Sequence, residues 1–460
     1  MKNQLLHTPE GVRDIYNEEC EKKLELQDRL HKALKRHGYH SIQTPTFEFF
    51  DIFGKEVGTI PSNELYKFFD REGNTLVLRP DITPSIARSA AKYFMDEDMP
   101  IRLSYMGNTF INNHSYQGRL KESTQLGAEL IGDDTVDGDA EMIAMAIDAL
   151  KSSGLKDFQI SVGHVEFFRG LMEAAGLSEE QEEVIRELIA NKNFFGVEEE
   201  ISDCSMNQNL KELFGMLGTI YDNAASFEEA KTYAADYPKV YKAIRRLEDL
   251  DAVLKVYDVD KYVTYEFGML SSYHYYTGVI FAGYTYGSGE PIVKGGRYDK
   301  LLTYFGKDAA SIGFAIVVDQ LMAAISRQKI EITVKHDNQL IVYKPEYRRE
   351  AVKKAIALSE MDYEDDAAII EKELGGGWVG EEALAIAVYC CLKYPYCIKK
   401  AMIAAVNHSG DSDSTGAVAG NIIGAYLGMS AVPKDWMDRL ELVDVMQEQI
   451  DDIMLMIRDR

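Results

Sequence analysis

Residues 102–132 constrain the fold more than any other stretch of this chain. RLSYMGNTF and KESTQLGAELIG alternate like strands, and the polar run NNHSYQG (112–118) between them reads as a loop. This pattern predicts a long antiparallel hairpin and points to an α+β class built on an antiparallel sheet.

The flanking text is consistent with that class. Leu26, Leu30, Ala33, Leu34 and His37 recur at helical spacing and Gly38 supplies a stop. YHSIQTPTFEFF (39–50) is β-rich and broken at Pro45, so it reads as a strand ending at or near an edge. LVLRPDITPSIARSAAKYF (76–94) reads as strand, turn and helix. From about Gly163 to Asp260 the pattern is helical, with capping-box signatures at Ser178/Gln181 and Ser226/Glu229. β character returns with YVTYEFGMLSSYHYYTGVIFAGYTYGS (262–288), followed by a turn at GSGEP, the segment GGRYD and the apolar run SIGFAIVVDQLMAAI. At ~150 residues per domain, 460 residues suggest about three domains. The expected division is a core over 1–330, the truncated start of an α/β domain over 331–362, and a mostly helical segment over 363–460, with a joint near MDYEDD (361–366).

Composition excludes several functions. Seventy-five acidic against 50 basic residues give a net charge of −25, which repels phosphate backbones and disfavours nucleic acid as the main partner. No apolar run approaches the ~20 residues of a spanning helix, and the start lacks the apolar stretch of a secretory signal, so a cytoplasmic chain is expected. Cys20, Cys204, Cys390, Cys391 and Cys397 lack C-x-x-C spacing; buried free thiols are expected rather than zinc or disulfides.

Five segments appear in order over some 350 residues: TPEGVRD (8–14), LRPDITPSIAR (78–88), QGRLKESTQLGAELIG (117–132), YYTGVIF (275–281) and GGRYD (295–299). With the helical insertion, they make residues 1 to about 360 resemble the histidyl-tRNA synthetase-like group of class II synthetase folds. Within it the chain looks more like the non-catalytic branch, the regulatory subunits of ATP phosphoribosyltransferase. Synthetases of the group hold the ATP α-phosphate with arginines, because a guanidinium is permanently charged and bidentate. At the matching positions this chain has Phe110-Ile111-Asn112-Asn113, Gly313 to Gln320 without an arginine, and Ser271-Ser272-Tyr273-His274.

The amino-acid end of the pocket is kept. By resemblance, Asp81, Thr83, Gln125 and Glu129 hold a histidine ammonium and imidazole, with Tyr275 and Tyr276 as walls. Arg119 and Arg297 are the remaining family-like arginines, each either a contact for a partner or its anion or an ion-pair partner. The resemblance implies assembly with the catalytic subunit of ATP phosphoribosyltransferase, L-histidine as effector, a dimer of the synthetase-like core and no cofactor in that part. The rival reading is a divergent histidyl-tRNA synthetase.

Residues 373–433 resemble a second family, the C-terminal part of ADP-ribosylglycohydrolases, through GGGWVGEEALAIAVYC (375–390) and AAVNHSGDSDSTGAVAGNIIGAYLG (404–428). In that family Asp411, Asp413 and Ser414 would form one side of a two-magnesium site; the other side, a threonine–aspartate–aspartate cluster, has no match here. A half site would bind Mg²⁺ weakly, so an ADP-ribosyl hydrolase is the lesser reading. Without the family, Asp411 to Ser414 read as a loop and N-cap. Gly416, Gly420, Gly424 and Gly428 would give the following helix a smooth face for close packing.

Overall fold

The computed structural model describes residues 6–54, 60–97, 100–113, 120–202, 204, 206–221, 225–271, 275–334, 370, 374–408, 410–428, 431–433 and 436. The chain divides into two units, Met1–Val334 and Lys335–Arg460. The α/β start expected at 331–362 and the joint at 361–366 lie almost wholly outside the described residues.

The first unit opens with α1 (Asn17–Arg36), whose buried side is Leu26, Leu30, Ala33 and Leu34; His37 forms its C-cap and Gly38 follows at φ +81°. Next, the expected single strand over 39–50 is two. The pair β1 (His40–Ser41) and β2 (Phe47–Phe49) lie in different sheets. Pro45, without an N–H, interrupts the ladder, and the carbonyls of Thr44 and Pro45 accept instead from Arg79 Nη1 at 2.9 and 3.2 Å. The small sheet is completed by β3 (Lys67–Phe69) and β4 (Thr75–Leu78), in the order β2-β4-β3. Helix α2 (Thr83–Tyr93) follows, with Pro84 in its first turn, where a missing N–H costs nothing.

The hairpin is formed by β5 (Ile101–Phe110) and β6 (Glu122–Ile131), paired antiparallel from Ile101↔Ile131 to Phe110↔Glu122. After α3 (Val136–Ser152), capped by the Thr135 hydroxyl, comes β7 (Phe158–His164). The helical stretch then comprises α4 (Val165–Ala175), α5 (Glu179–Ala190), α6 (Phe194–Ser202), α7 (Gln208–Gly215), the short β8 (Ile220–Tyr221), α8 (Ala225–Tyr233) and α9 (Pro238–Val256). The Ser178–Gln181 capping box is present. Ser226 does not cap, because α8 already begins at Ala225 and takes Ser226 into its first turn.

The chain closes the large sheet with β9 (Val263–Glu266), β10 (Val279–Thr285), β11 (Val293–Arg297) and β12 (Ser311–Val317), then α10 (Val318–Arg327). Strand order is β1-β5-β6-β12-β11-β10-β7-β9-β8; β1–β5 and β7–β9 pair parallel and the strands from β5 to β7 are antiparallel. One core packs α1, α3 and the inserted helices on the sheet; a second packs Ile82 and Ile86 of the α2 segment on Tyr105, Tyr275, Tyr276 and Tyr298.

The described part of the second unit is α11 (Gly380–Lys393), α12 (Ile398–Val406) and α13 (Ser412–Leu427), around Ile386, Ala387, Cys390, Ala401, Ala405, Ala419 and Ile423. The glycine face is only half used. A Cβ on Gly416 would come 2.6 Å from Val406 and one on Gly420 would touch Met402, whereas Gly424 and Gly428 have nothing described within 4 Å. All five cysteines are free; Cys390 and Cys391 are buried, but Cys20, Cys204 and Cys397 only partly so. Among the described residues no helix is long and apolar enough to cross a membrane.

Candidate functional site

A cleft of about 1140 Å³ opens on the first unit, and Asp81, Thr83, Gln125, Glu129, Tyr275 and Tyr276 all line it. They come from three places. The β4–α2 turn gives Asp81 and Thr83, one face of β6 gives Gln125 and Glu129, and the segment before β10 gives the tyrosines. Four residues apart on a strand, Gln125 and Glu129 point the same way.

Glu129 sits at the inner end, 1% exposed. Its Oε1 accepts from the Thr83 hydroxyl at 2.8 Å and its Oε2 from the Tyr298 hydroxyl at 2.5 Å. Gly313 makes room for it, since a Cβ there would lie 1.5 Å from Glu129 Oε2. Gly296, opposite Gly313 on β11, does the same for Tyr276, whose ring a Cβ would approach to 2.8 Å. Asp81 accepts from the Tyr275 hydroxyl at 3.1 Å and from the Thr83 amide at 3.3 Å. Burial, the dominant influence, pushes the Glu129 carboxyl up to about 8; the tyrosine and threonine hydroxyls pull it back, and the nearby Asp81 pushes it further up. Asp81 is raised too, again chiefly by burial. Tyr275 meets Tyr276 edge to face at 4.9 Å and Tyr298 at 5.9 Å, building an aromatic wall. Gln125 Oε1 is buried without a hydrogen-bond partner.

The outer end carries Ile111, Asn113 and Gln320, where the sequence lacks arginine. The described lining holds five carboxyl groups (Glu64, Asp81, Glu129, Glu290, Asp319) and one cation, Lys294. Such a surface suits an ammonium and opposes a triphosphate.

Arg297 is not in the cleft. It is buried on the opposite side of the sheet, where Nε and Nη2 bond Asp139 Oδ1 at 2.8 and 2.6 Å and Nη1 bonds the Asp133 carbonyl at 2.7 Å. Of its two possible roles the ion pair is the one formed, and a partner contact is not open to it. Arg119 lies outside the described residues. GGRYD does reach the cleft, through its next residue. Alternation sends Arg297 to one face and Tyr298 to the other, so Tyr298 was legible from a period of two. Asp319 had no comparable signal: its position at the mouth depends on Lys23 of α1, 2.6 Å away, and on the Thr124 amide, 2.7 Å away.

In the second unit Asp411 is the N-cap of α13, its Oδ1 accepting from the Ser414 amide at 3.3 Å, while Asp413 and Ser414 are exposed. Its own amide donates to the Gly376 carbonyl at 2.7 Å, tying the triple glycine to this loop. Among the described residues no three His, Cys, Asp or Glu side chains gather as metal ligands. The described donors therefore do not fit a two-magnesium centre.

A nine-stranded sheet with an acidic, tyrosine-walled cleft over β6, β11 and β12 defines a class II synthetase-like core. The histidyl-tRNA synthetase family model matches residues 11–321, and the ADP-ribosylglycohydrolase model matches residues 286–460. The ATP phosphoribosyltransferase regulatory subunit of Acetivibrio thermocellus is 43% identical over 346 residues, 75% of this chain and 82% of that protein. Its counterpart in Ruminiclostridium cellulolyticum is 39% identical over 372 residues, covering 81% and 88%. Among solved structures, an ATP phosphoribosyltransferase regulatory subunit/histidyl-tRNA synthetase from Bacillus halodurans C superposes with a TM-score of 0.69 at 34% identity, covering 77% of this chain and 90% of that one. Histidyl-tRNA synthetase from Nostoc sp. PCC 7120 shares the fold, with a TM-score of 0.64 at 19% identity over 77% and 84% of the two chains. This chain belongs to the histidyl-tRNA synthetase family and, within it, to the family of ATP phosphoribosyltransferase regulatory subunits.

Proposed function

We propose that this chain is a non-catalytic regulatory subunit that assembles in the cytoplasm with the catalytic subunit of ATP phosphoribosyltransferase. There it supports the joining of ATP to phosphoribosyl pyrophosphate, and it senses L-histidine in its own cleft. The observation that carries the histidine reading is the convergence of Asp81, Thr83, Gln125 and Glu129 between Tyr275 and Tyr276 at one end of one cavity. Carboxylates and an amide oxygen match an ammonium and a ring N–H, and an imidazole packs against tyrosine faces. At the other end neutral Ile111, Asn113 and Gln320 give a nucleotide little to hold. The reading needs no cofactor in the core.

The core pairs with a second copy of itself. Support comes from the small sheet, one face of which carries Phe47, Phe49 and Phe68 at 51%, 55% and 37% exposure, unusual for aromatic side chains side by side. Light scattering of the purified chain should give a dimer, and Phe49→Glu should give a monomer.

The function itself is tested by mixing the purified chain with an ATP phosphoribosyltransferase catalytic subunit that is weakly active alone. Phosphoribosyl-ATP synthesis should rise several-fold, and histidine should reduce it. No rise with any compatible catalytic subunit would overturn the reading.

A further inference from the structure

The inner end of the cleft concentrates two acids where neither can easily be charged. Asp81 and Glu129 are 7% and 1% exposed and are linked through Thr83, whose amide donates to one and whose hydroxyl donates to the other. The hydroxyls of Tyr275 and Tyr298 also donate, the first to Asp81 and the second to Glu129. The titratable and charged groups facing the pair are Tyr105 from β5, Tyr275 and Tyr276 from the segment before β10, Tyr298 from the segment after β11, and Lys294 of β11, an exposed side chain acting on Asp81. No described ammonium or guanidinium bonds either carboxyl. Two buried carboxyls joined through one threonine disfavour each other's charge, and burial opposes both ionisations.

A separate feature points the same way. Gln125 Oε1, on the same face of β6, is a buried acceptor with no donor. A buried polar atom left unsatisfied calls for a ligand that brings N–H groups. The Tyr105 hydroxyl beside Glu129 is the other buried polar atom without a partner here. The cleft thus holds two buried carboxyls and an unpaired amide oxygen against a single cation in its described lining, and a cationic donor is the chemistry that completes them.

We infer that this inner end is a cation-for-proton exchange site: the Asp81–Glu129 pair keeps one proton in the ligand-free protein and gives it up when the ammonium of an imidazole-bearing amine enters. The inference rests on the histidine reading above and adds its regulation by pH. The carboxyl O–H breaks and its proton passes to bulk water. The ligand's N–H groups take its place as donors to the carboxylate. No electron transfer is involved and no co-reactant is needed. With burial holding Glu129 at about 8, its carboxyl is mostly protonated at neutral pH, so binding tightens as pH rises toward that value while the ligand's amine remains an ammonium.

The test is titration calorimetry of the full chain with L-histidine in buffers of different ionisation heat. About one proton should be released per histidine bound at pH 7.0, and net release should fall steeply by pH 8.5, where the carboxyl is mostly ionised and part of the free histidine must regain a proton to bind. Glu129→Gln should bind more weakly and release almost none. Because that variant alters a buried group, the parent chain supplies a second readout: a protonated-carboxyl infrared band present without ligand and lost as histidine is added. Histidine binding with no proton release and an unchanged band would overturn the exchange and leave the histidine pocket standing. Failure of histidine to bind at any pH would overturn both.

Discussion

Gly313 lies opposite Glu129 in the β6–β12 ladder, and the Glu129 carboxylate fills the space where a side chain at 313 would begin. The acid is placed by what its neighbour lacks. Gly313→Ala should push Glu129 off the Thr83 and Tyr298 hydroxyls and weaken histidine binding at least about tenfold, or ~1.4 kcal/mol. Calorimetry on the folded variant checks this; affinity equal to the parent's would remove Glu129 from the site.

A buried acid near 8 also makes stability depend on pH. The folded chain keeps a proton that unfolded Glu, at 4.5, has already lost, so stability falls as pH rises between those values and levels off above them. The full effect is on the order of 5 kcal/mol. Urea unfolding between pH 5 and pH 9 should show this decline in the parent and much less of it in Glu129→Gln.

Asp139 is fully buried between two guanidiniums, Arg297 at 2.6 Å and Arg246 at 2.7 Å. Removing Arg297 leaves that carboxylate with one guanidinium, that of the partly exposed Arg246. Arg297→Ala should cost about 3–5 kcal/mol in unfolding free energy. A loss below about 1 kcal/mol would mean water replaces the guanidinium.

By the resemblance to the synthetases, Ile111, Asn112 and Gln320 fall at positions where permanently charged donors would meet a developing phosphoryl anion, and loss of one such donor costs about 10²–10³ in rate. Histidine-dependent ATP–pyrophosphate exchange should stay at background with the purified chain. A signal that saturates with histidine would contradict the regulatory reading.

For the second unit, Asp411→Ala should remove the cap of α13 and cost about 1 kcal/mol. Added Mg²⁺ should leave the melting temperature of the parent unchanged, and ADP-ribose release from an arginine-modified substrate should not be detected. Metal-dependent release that disappears in Asp413→Ala would reverse this.

The hairpin, α1 and the return to β character after 262 were legible because period-two and period-3.6 patterns survive wherever one face is buried. That six residues share one cleft followed from family motifs: Thr83, Gln125 and Glu129 stand on regular elements, whereas Asp81, Tyr275 and Tyr276 lie on connecting segments. The break at Pro45 into two sheets was not, because pairing partners far along the chain decide it. Arg297 was half legible: its family position was plain, but its buried acid, Asp139, sits 158 residues away on another element. Ser226 misled because a hydroxyl three residues before a glutamate fits a first turn as readily as a cap.

Arg79 has a consequence for how this chain can transmit a signal. Its guanidinium is held by the carbonyls of Thr44, Pro45 and Asn108, pinning the crossover between the two sheets to the hairpin. Leu78, paired with Phe47 on the aromatic sheet, is three residues from Asp81 in the cleft. Even fully extended, three residues span only about 10 Å, and one of these links is Pro80. The aromatic sheet and the acidic pocket therefore share a short, stiff lever with little slack. The position of the Asp81 carboxyl is thereby tied to that of the phenylalanine-bearing sheet, and neither can be placed independently of the other.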